Sequence, residues 1–281
     1  MADPAQIPYL LELLDDESAA VRTQVLTALR GYGDQLERIV VPYVALIEGV
    51  RRSLLTEIIQ SSRETRFRDR WPVWLEISDP YTSLEHALES LSLLEAAWGA
   101  PTVGELLDEL AAKFRRTVSE PYSIEQLNYF VFVTERYRPP APDYYHPNNS
   151  NLTEVLRSRR GIQISLSCLV ILLAYRLGIL MVGCNLPGHF LYMMGSTGQW
   201  RVFDPFNLGL SLPDNTRKYL ETHLQQHHIT LDSLRAGPRE IIPRVLRNLM
   251  TAWERTGDTV RAGYYQTLLE DLLLLYQQKG G

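Results

Sequence analysis

The sequence predicts an α+β protein that is mostly helical, and three observations predict it. Apolar residues recur at helical spacing through the first third of the chain and again from residue 213 onward. Between residues 179 and 203 the pattern changes to short apolar or aromatic runs bounded by Pro187-Gly188 and by Gly195-Ser196-Thr197-Gly198, the signature of strands joined by a hairpin. The uncharged stretch 161–175, closed by Arg160 and Arg176, is 15 residues long, short of the roughly 20 that a membrane-spanning helix needs, and reads as a buried core helix.

Taken in order, the chain opens with a helical hairpin. Ile7, Leu10, Leu11 and Leu14 line one helix and Val21, Val25, Leu26 and Leu29 the next, with Asp15-Asp16-Glu17-Ser18 between them. With Val21-Arg22 early in its second helix and a terminus at Gly31 or Gly33, residues 15–33 resemble a HEAT-type repeat, and a further helical pair is expected over 36–60. Residues 61–74 read as a charged, aromatic connector. Three capping boxes follow, Thr82 with Glu85, Thr102 with Glu105 and Ser123 with Gln126, each preceding an apolar-periodic run. The run Arg138-Pro139-Pro140-Ala141-Pro142-Asp143 is too rich in proline to be helical and predicts an extended surface loop. Strands are expected at 179–184, 189–194 and 199–203, the last two paired antiparallel. Helix returns at 213, ending in helices over 241–255 and 259–277 around the turn Thr256-Gly257-Asp258. With Asn248-Leu249, Trp253, Arg261-Ala262 and Tyr265, that final pair resembles one tetratricopeptide hairpin. The predicted division is 1–74, 75–237 and 238–281.

Composition limits the partners. The 281 residues are 45% hydrophobic and 22% charged, a globular balance that excludes a disordered or collagen-like chain. Lys and Arg number 28 against 33 Asp and Glu, so the net charge of -5 supplies no global positive field for nucleic acid or an anionic membrane. There are two cysteines, Cys168 and Cys184, both in apolar runs, and the start Met1-Ala2-Asp3-Pro4 has neither the basic residues nor the apolar core of a signal peptide. A cytoplasmic protein is expected, with no nucleic-acid or membrane partner.

Four ordered motifs stand out between Tyr144 and Asn207: Tyr144-Tyr145-His146-Pro147-Asn148-Asn149-Ser150; Val155 through Ser167, with Arg159-Arg160-Gly161-Ile162-Gln163-Ile164-Ser165; Asn185-Leu186-Pro187-Gly188-His189-Phe190-Leu191; and Asp204-Pro205-Phe206-Asn207. On these residues the chain resembles the SirB-type transglutaminase-like family, within the transglutaminase-like, papain-related superfamily. Active members of that superfamily use a Cys, a His and an Asp. The resemblance implies a nucleophile helix packed on a small antiparallel sheet that carries the other two groups. His189 and Asp204 occupy their places here, with His189 expected on a strand antiparallel to the one ending at Asp204. Such an arrangement lets a helix dipole favour the nucleophile's anion, the His take its proton and the carboxylate orient the His.

The resemblance breaks at the nucleophile. In the superfamily the Cys follows a glycine by two positions, and counting from Gly161, or back about four turns from Gly178, gives Gln163, which cannot act as a nucleophile. Cys168 and Cys184 are expected to be inert core residues, because burial raises a thiol pKa. Ser165 and Ser167 remain as candidate substitute nucleophiles at the start of the helix, and for Ser165 a helix cap or a buried hydroxyl is the plainer alternative. Asn148, Asn149 and Ser150 read as caps of the helix over 151–159, and their place in the motif implies that they also brace the cleft, together with Gly161. His223 and His227 have the i, i+4 spacing of metal ligands, but nothing nearby completes a set, and no metal or cofactor is expected. The functional expectation is a degenerate, non-catalytic transglutaminase-like protein that binds a protein or peptide partner. The alternatives are a serine-dependent hydrolase or acyl transferase using Ser165, His189 and Asp204, and a scaffold acting through its helical ends.

Overall fold

A computed structural model describes residues 3–33, 35–226 and 228–279. It is mostly helical, with one small antiparallel sheet, the predicted α+β class. The chain forms two compact units, Met1–Val73 with Leu93–Pro101, and Trp74–Ser92 with Thr102–Gly281.

The first unit contains α1 (Ile7–Glu12), α2 (Ala19–Arg30), α3 (Gln35–Val40) and α4 (Gly49–Arg70). The predicted apolar stripes meet in one core, where Ile7, Leu11, Leu14, Val25, Leu29, Leu36, Val40, Leu55, Ile58 and Ile59 are all buried. The connector expected over 61–74 is instead the second half of α4 followed by a 3-10 turn, Trp71–Glu76. Its charges hide a regular buried face of Leu55, Ile58, Ile59, Arg63 and Phe67, in which Arg63 takes an apolar position because Glu37 pairs with it.

In the second unit α5 (Pro80–Glu95), whose last residues belong to the first unit, is followed by α6 (Val103–Thr117) and α7 (Ile124–Asn128). The capping boxes at Thr102 and Ser123 form as predicted. At α5 the cap lies three residues earlier than expected: the Asp79 carboxylate accepts from both the backbone N–H and the hydroxyl of Thr82, which places Thr82 inside the helix. An acid at that position also suits the positive end of the helix dipole. A π-helix, Tyr129–Thr134, continues α7. Then come α8 (Leu152–Ser158) and the central helix α9 (Gln163–Arg176), buried at every position from Ile164 to Ala174.

The sheet has the order β4-β3-β2-β1-β5 and is antiparallel throughout, with β1 (Val182–Cys184), β2 (Leu191–Ser196), β3 (Gln199–Asp204), β4 (Leu210–Ser211) and β5 (Arg235–Ala236). The β2–β3 hairpin closes at Ser196 and Gln199 around Thr197-Gly198, as the turn residues predict. β1 and β2 pack on α9, the helix-on-sheet arrangement that the resemblance implies. Cys184, Leu191, Met193, Trp200 and Val202 instead form an apolar cluster with Leu224, Leu231 and Leu234, from α10 (Asp214–Gln226) and the turn before β5. Two expectations are corrected here. Residues 189 and 190 precede β2, and the segment beyond 213 contributes β5 to the sheet edge. The chain ends in the predicted antiparallel pair α11 (Pro238–Thr256) and α12 (Thr259–Lys279).

Asn128 ties the helical layer to the sheet. Its amide donates to the Gly209 carbonyl at 2.6 Å, and its oxygen accepts from the buried Tyr192 hydroxyl at 2.8 Å. Gly209 has φ +67, and a Cβ there would lie 2.6 Å from both Phe132 and the Tyr192 hydroxyl. Gly209→Ala therefore combines overpacking, about 1 to 3 kcal/mol, with a left-handed backbone cost of roughly 1 to 2 kcal/mol. A drop of about 3 kcal/mol in the stability of this unit is expected in urea unfolding.

Candidate site at the head of the central helix

The site is assembled from the loop before α8, the first turn of α9 and the loop before β2. A 3-10 turn, Pro147–Asn149, is capped by the His146 side chain, whose Nδ1 accepts from the Asn148 N–H at 3.2 Å. α8 is capped by Asn151, which accepts from the Glu154 N–H, so the capping expected of Asn148, Asn149 and Ser150 falls one residue later. Asn149 is buried and braces the segment: its amide donates to the carbonyls of Asp143 (2.7 Å) and Tyr144 (3.2 Å). The Asn149 carbonyl accepts from the Ile162 N–H at 3.2 Å and from the Ser165 hydroxyl at 2.9 Å. Ser150 is buried beside it and Asn148 is exposed. Gly161 is a packing glycine, since a Cβ there would lie 2.8 Å from a Val155 methyl.

Gln163 is the first residue of α9 and lies beside His189. The Phe190 N–H donates to Gln163 Oε1 at 3.4 Å, and because a backbone N–H can only donate, this fixes which end of the amide faces the loop. Gln163 Nε2 then faces His189 Nδ1, 3.3 Å away, as the donor to that nitrogen. His189 itself is exposed.

The remaining sequence candidates are held elsewhere. Ser165 is 4% exposed and its hydroxyl is spent on the Asn149 carbonyl, while the Ser167 hydroxyl, fully buried, donates to the Phe190 carbonyl at 3.3 Å. Asp204 closes its own turn by accepting from the Phe206 N–H at 2.9 Å. Among the described residues Gln163 is the hydrogen-bond partner of the His189 ring, and no bond joins that ring to Asp204 or Ser165. A hydrogen bond thus joins His189 to Gln163, and none joins it to Asp204, the partner expected from the strand order. The physical reason is local: His189 sits on a turn, with its N–H bonded to the Leu186 carbonyl, before the strand ladder begins. Burial pushes the thiols of Cys168 and Cys184 up to about 12, which leaves them protonated. Among the described residues no group of His, Cys, Asp and Glu could hold a metal ion, and the His223 side chain and His227 lie outside the described residues.

One neighbour was not singled out from the sequence. Arg244, on α11, donates through Nη1 to the side-chain oxygen of Asn185 and to the Leu186 carbonyl, and its guanidinium lies over the Phe190 ring, 5.4 Å from the centroid. It therefore holds both ends of the loop that carries His189. The legible signal is the spacing of Arg244, Arg247 and Arg255 along one edge of a helix that is otherwise strongly amphipathic.

The helix-on-sheet core and the ordered motifs at its head agree with a family model of the transglutaminase-like superfamily, which matches residues 101–247. The chain belongs to the transglutaminase-like superfamily. It is 33% identical over 148 residues to a UPF0162 protein of Xylella fastidiosa (strain 9a5c), covering 50% of this chain and 53% of that protein. It is also 28% identical over 161 residues to F-box only protein 21 of Mus musculus, covering 54% of this chain and 25% of the mouse protein. The match thus spans about half the length of the Xylella relative. No solved structure matches the chain. Among the described residues no helix is long and apolar enough to cross a membrane.

Proposed function

We propose that this chain is a non-catalytic transglutaminase-like protein of the SirB type, working in the cytoplasm by binding a protein or peptide through the surface around His189. The observation that carries the reading is the Gln163 amide, seated at the head of α9 and hydrogen-bonded to His189. A carboxamide in that position has no nucleophilic electron pair to offer, and by donating to Nδ1 it occupies the lone pair with which that nitrogen would take a proton. The bond of the Ser165 hydroxyl to Asn149 supports the same reading over a serine-dependent hydrolase or acyl transferase. Residues 238–281, with their tetratricopeptide-like pattern, would extend the binding surface of the central domain 75–237, and residues 1–74, with their HEAT-like pattern, would offer a helical surface of their own.

Amidase, protease and transamidase assays on the purified chain test the proposal, with His189→Ala measured beside it. No turnover above the buffer rate is expected from either protein. Robust turnover that His189→Ala abolishes would overturn it.

A further inference from the structure

We propose that Arg244 is the receptor for a carboxylate on the bound partner, so that the surface beside His189 selects acidic peptides. This rests on the peptide-binding reading above and adds to it the chemistry of the ligand. Arg244 is half-buried, and its protein acceptors, Asn185 and Leu186, both use Nη1. Among the described residues no carboxylate pairs with Arg244, and its Nε and Nη2 have no acceptor. A guanidinium with two donors unused presents the fork that fits a carboxylate through two parallel bonds. Arg247 lies close enough to add repulsion, which, after burial, holds the Arg244 pKa below the ordinary arginine value. A half-buried cation without a counter-ion is the electrostatic complement of an anion supplied from outside.

The surroundings favour a peptide as the source. Arg247 and Arg255 continue the charge along the same edge of α11, exposed and likewise without a carboxylate partner among the described residues, on a chain whose overall charge is -5. Aromatic side chains line this stripe. The Arg255 guanidinium lies 3.6 Å from the Tyr145 ring centroid, Tyr145 packs edge-on to Tyr144, and Tyr144 packs edge-on to Phe206. Tyr144 and Tyr145 are each 42% exposed, and the Tyr144 carbonyl is fixed by the Asn149 amide. Rigid, half-exposed tyrosines beside arginines supply contact area at low entropic cost, the pattern of peptide-binding surfaces. A nucleic acid or an anionic membrane would need a broader field than these arginines provide on an acidic chain.

The test uses a positional array of nonapeptides, each position fixed in turn as Glu, Gln, phosphoserine or Ser, probed with the full chain. Glu-containing peptides are expected to be retained about tenfold more tightly than their Gln counterparts, a preference that weakens as salt rises. In Arg244→Gln the Glu and Gln peptides should become equal, and Arg244→Lys should keep part of the preference. Arg247→Glu, an exposed reversal that leaves the packing of Phe190 untouched, should reduce it too, which covers the case in which Arg244→Gln does not fold. Retention of peptides with no preference for Glu, a preference unchanged in Arg244→Gln and Arg247→Glu, or selection of phosphoserine alone overturns this proposal while leaving peptide binding intact. An array that retains nothing overturns the peptide-binding reading and this inference with it.

Discussion

A cysteine placed at position 163 is expected to react with a disulfide or alkylating reagent at pH 6 about tenfold faster than an ordinary thiol. Gln163 begins α9, so a thiolate there would lie at the positive end of a 14-residue helix, on the side where His189 Nδ1 already accepts a hydrogen bond. Thiols in such settings ionise one to several pH units below the ordinary value of about 8.5. A fall to about 6 would raise the thiolate fraction at pH 6 by roughly a hundredfold. Weaker nucleophilicity at lower basicity returns about a factor of ten of that gain. The natural cysteines do not obscure the measurement, because both are buried and protonated to about pH 12. The rate–pH profile of Gln163→Cys should show its inflection well below that of a model thiol, and adding His189→Ala should move the inflection back up. A thiol at 163 that titrates normally with or without His189 would show that this end of α9 does not retain the geometry of a nucleophile site.

The parts of this fold that were legible in the sequence are those governed by local periodicity. The buried faces of α1 and α2, the 15 uncharged residues around α9 and the turn at Thr197-Gly198 state their structure directly. The errors come from partners that are distant in sequence. Residues 61–74 read as a charged, aromatic connector because the burial of Arg63 depends on Glu37, 26 positions earlier. β4 and β5 have two residues each, too few to show an alternating pattern, and exist because β3 and β1 offer them edges. At the candidate site the motifs marked Gln163, His189 and Asp204, but which of them meet was set by whether residue 189 falls within the strand or on the turn before it, a matter of two residues. Arg244 lay outside the motifs because its significance comes from an unused hydrogen-bonding fork, which only the packed loop at Asn185 and Leu186 reveals.

Replacing Glu37 by alanine is expected to cost about 3 to 5 kcal/mol, the range for removing one partner of a buried ion pair. The Arg63 and Glu37 side chains are 5% and 13% exposed. Arg63 binds Glu37 through Nε at 3.1 Å and Nη2 at 2.7 Å, and Arg66 adds a third charged contact at 3.0 Å. The same cluster holds the return segment Leu93–Pro101 against its unit, since Arg63 donates to the Ala96 carbonyl and the Gly99 N–H donates to Glu37. Without the carboxylate, the Arg63 charge stays buried and unpaired, and the return segment loses its anchor. Burial alone would push the Glu37 carboxyl up, but the hydrogen bonds and charge of Arg63, with Arg66 and the Gly99 N–H, hold it below the usual carboxylate range. A depressed folded-state pKa contributes stability that is complete above the unfolded value, about 4.3, and is lost as the pH falls through the folded value. Acidification below about pH 4 should therefore loosen this unit in the native protein and have little further effect in Glu37→Gln, which keeps the shape but not the charge. Because the chain has two compact units, a single unfolding free energy would blur the result. Amide hydrogen exchange at Gly99 and along α3 reads the unit directly. Unchanged protection of these amides in Glu37→Ala would mean that the apolar core of α1, α2 and α4 holds the return segment without the ion pair.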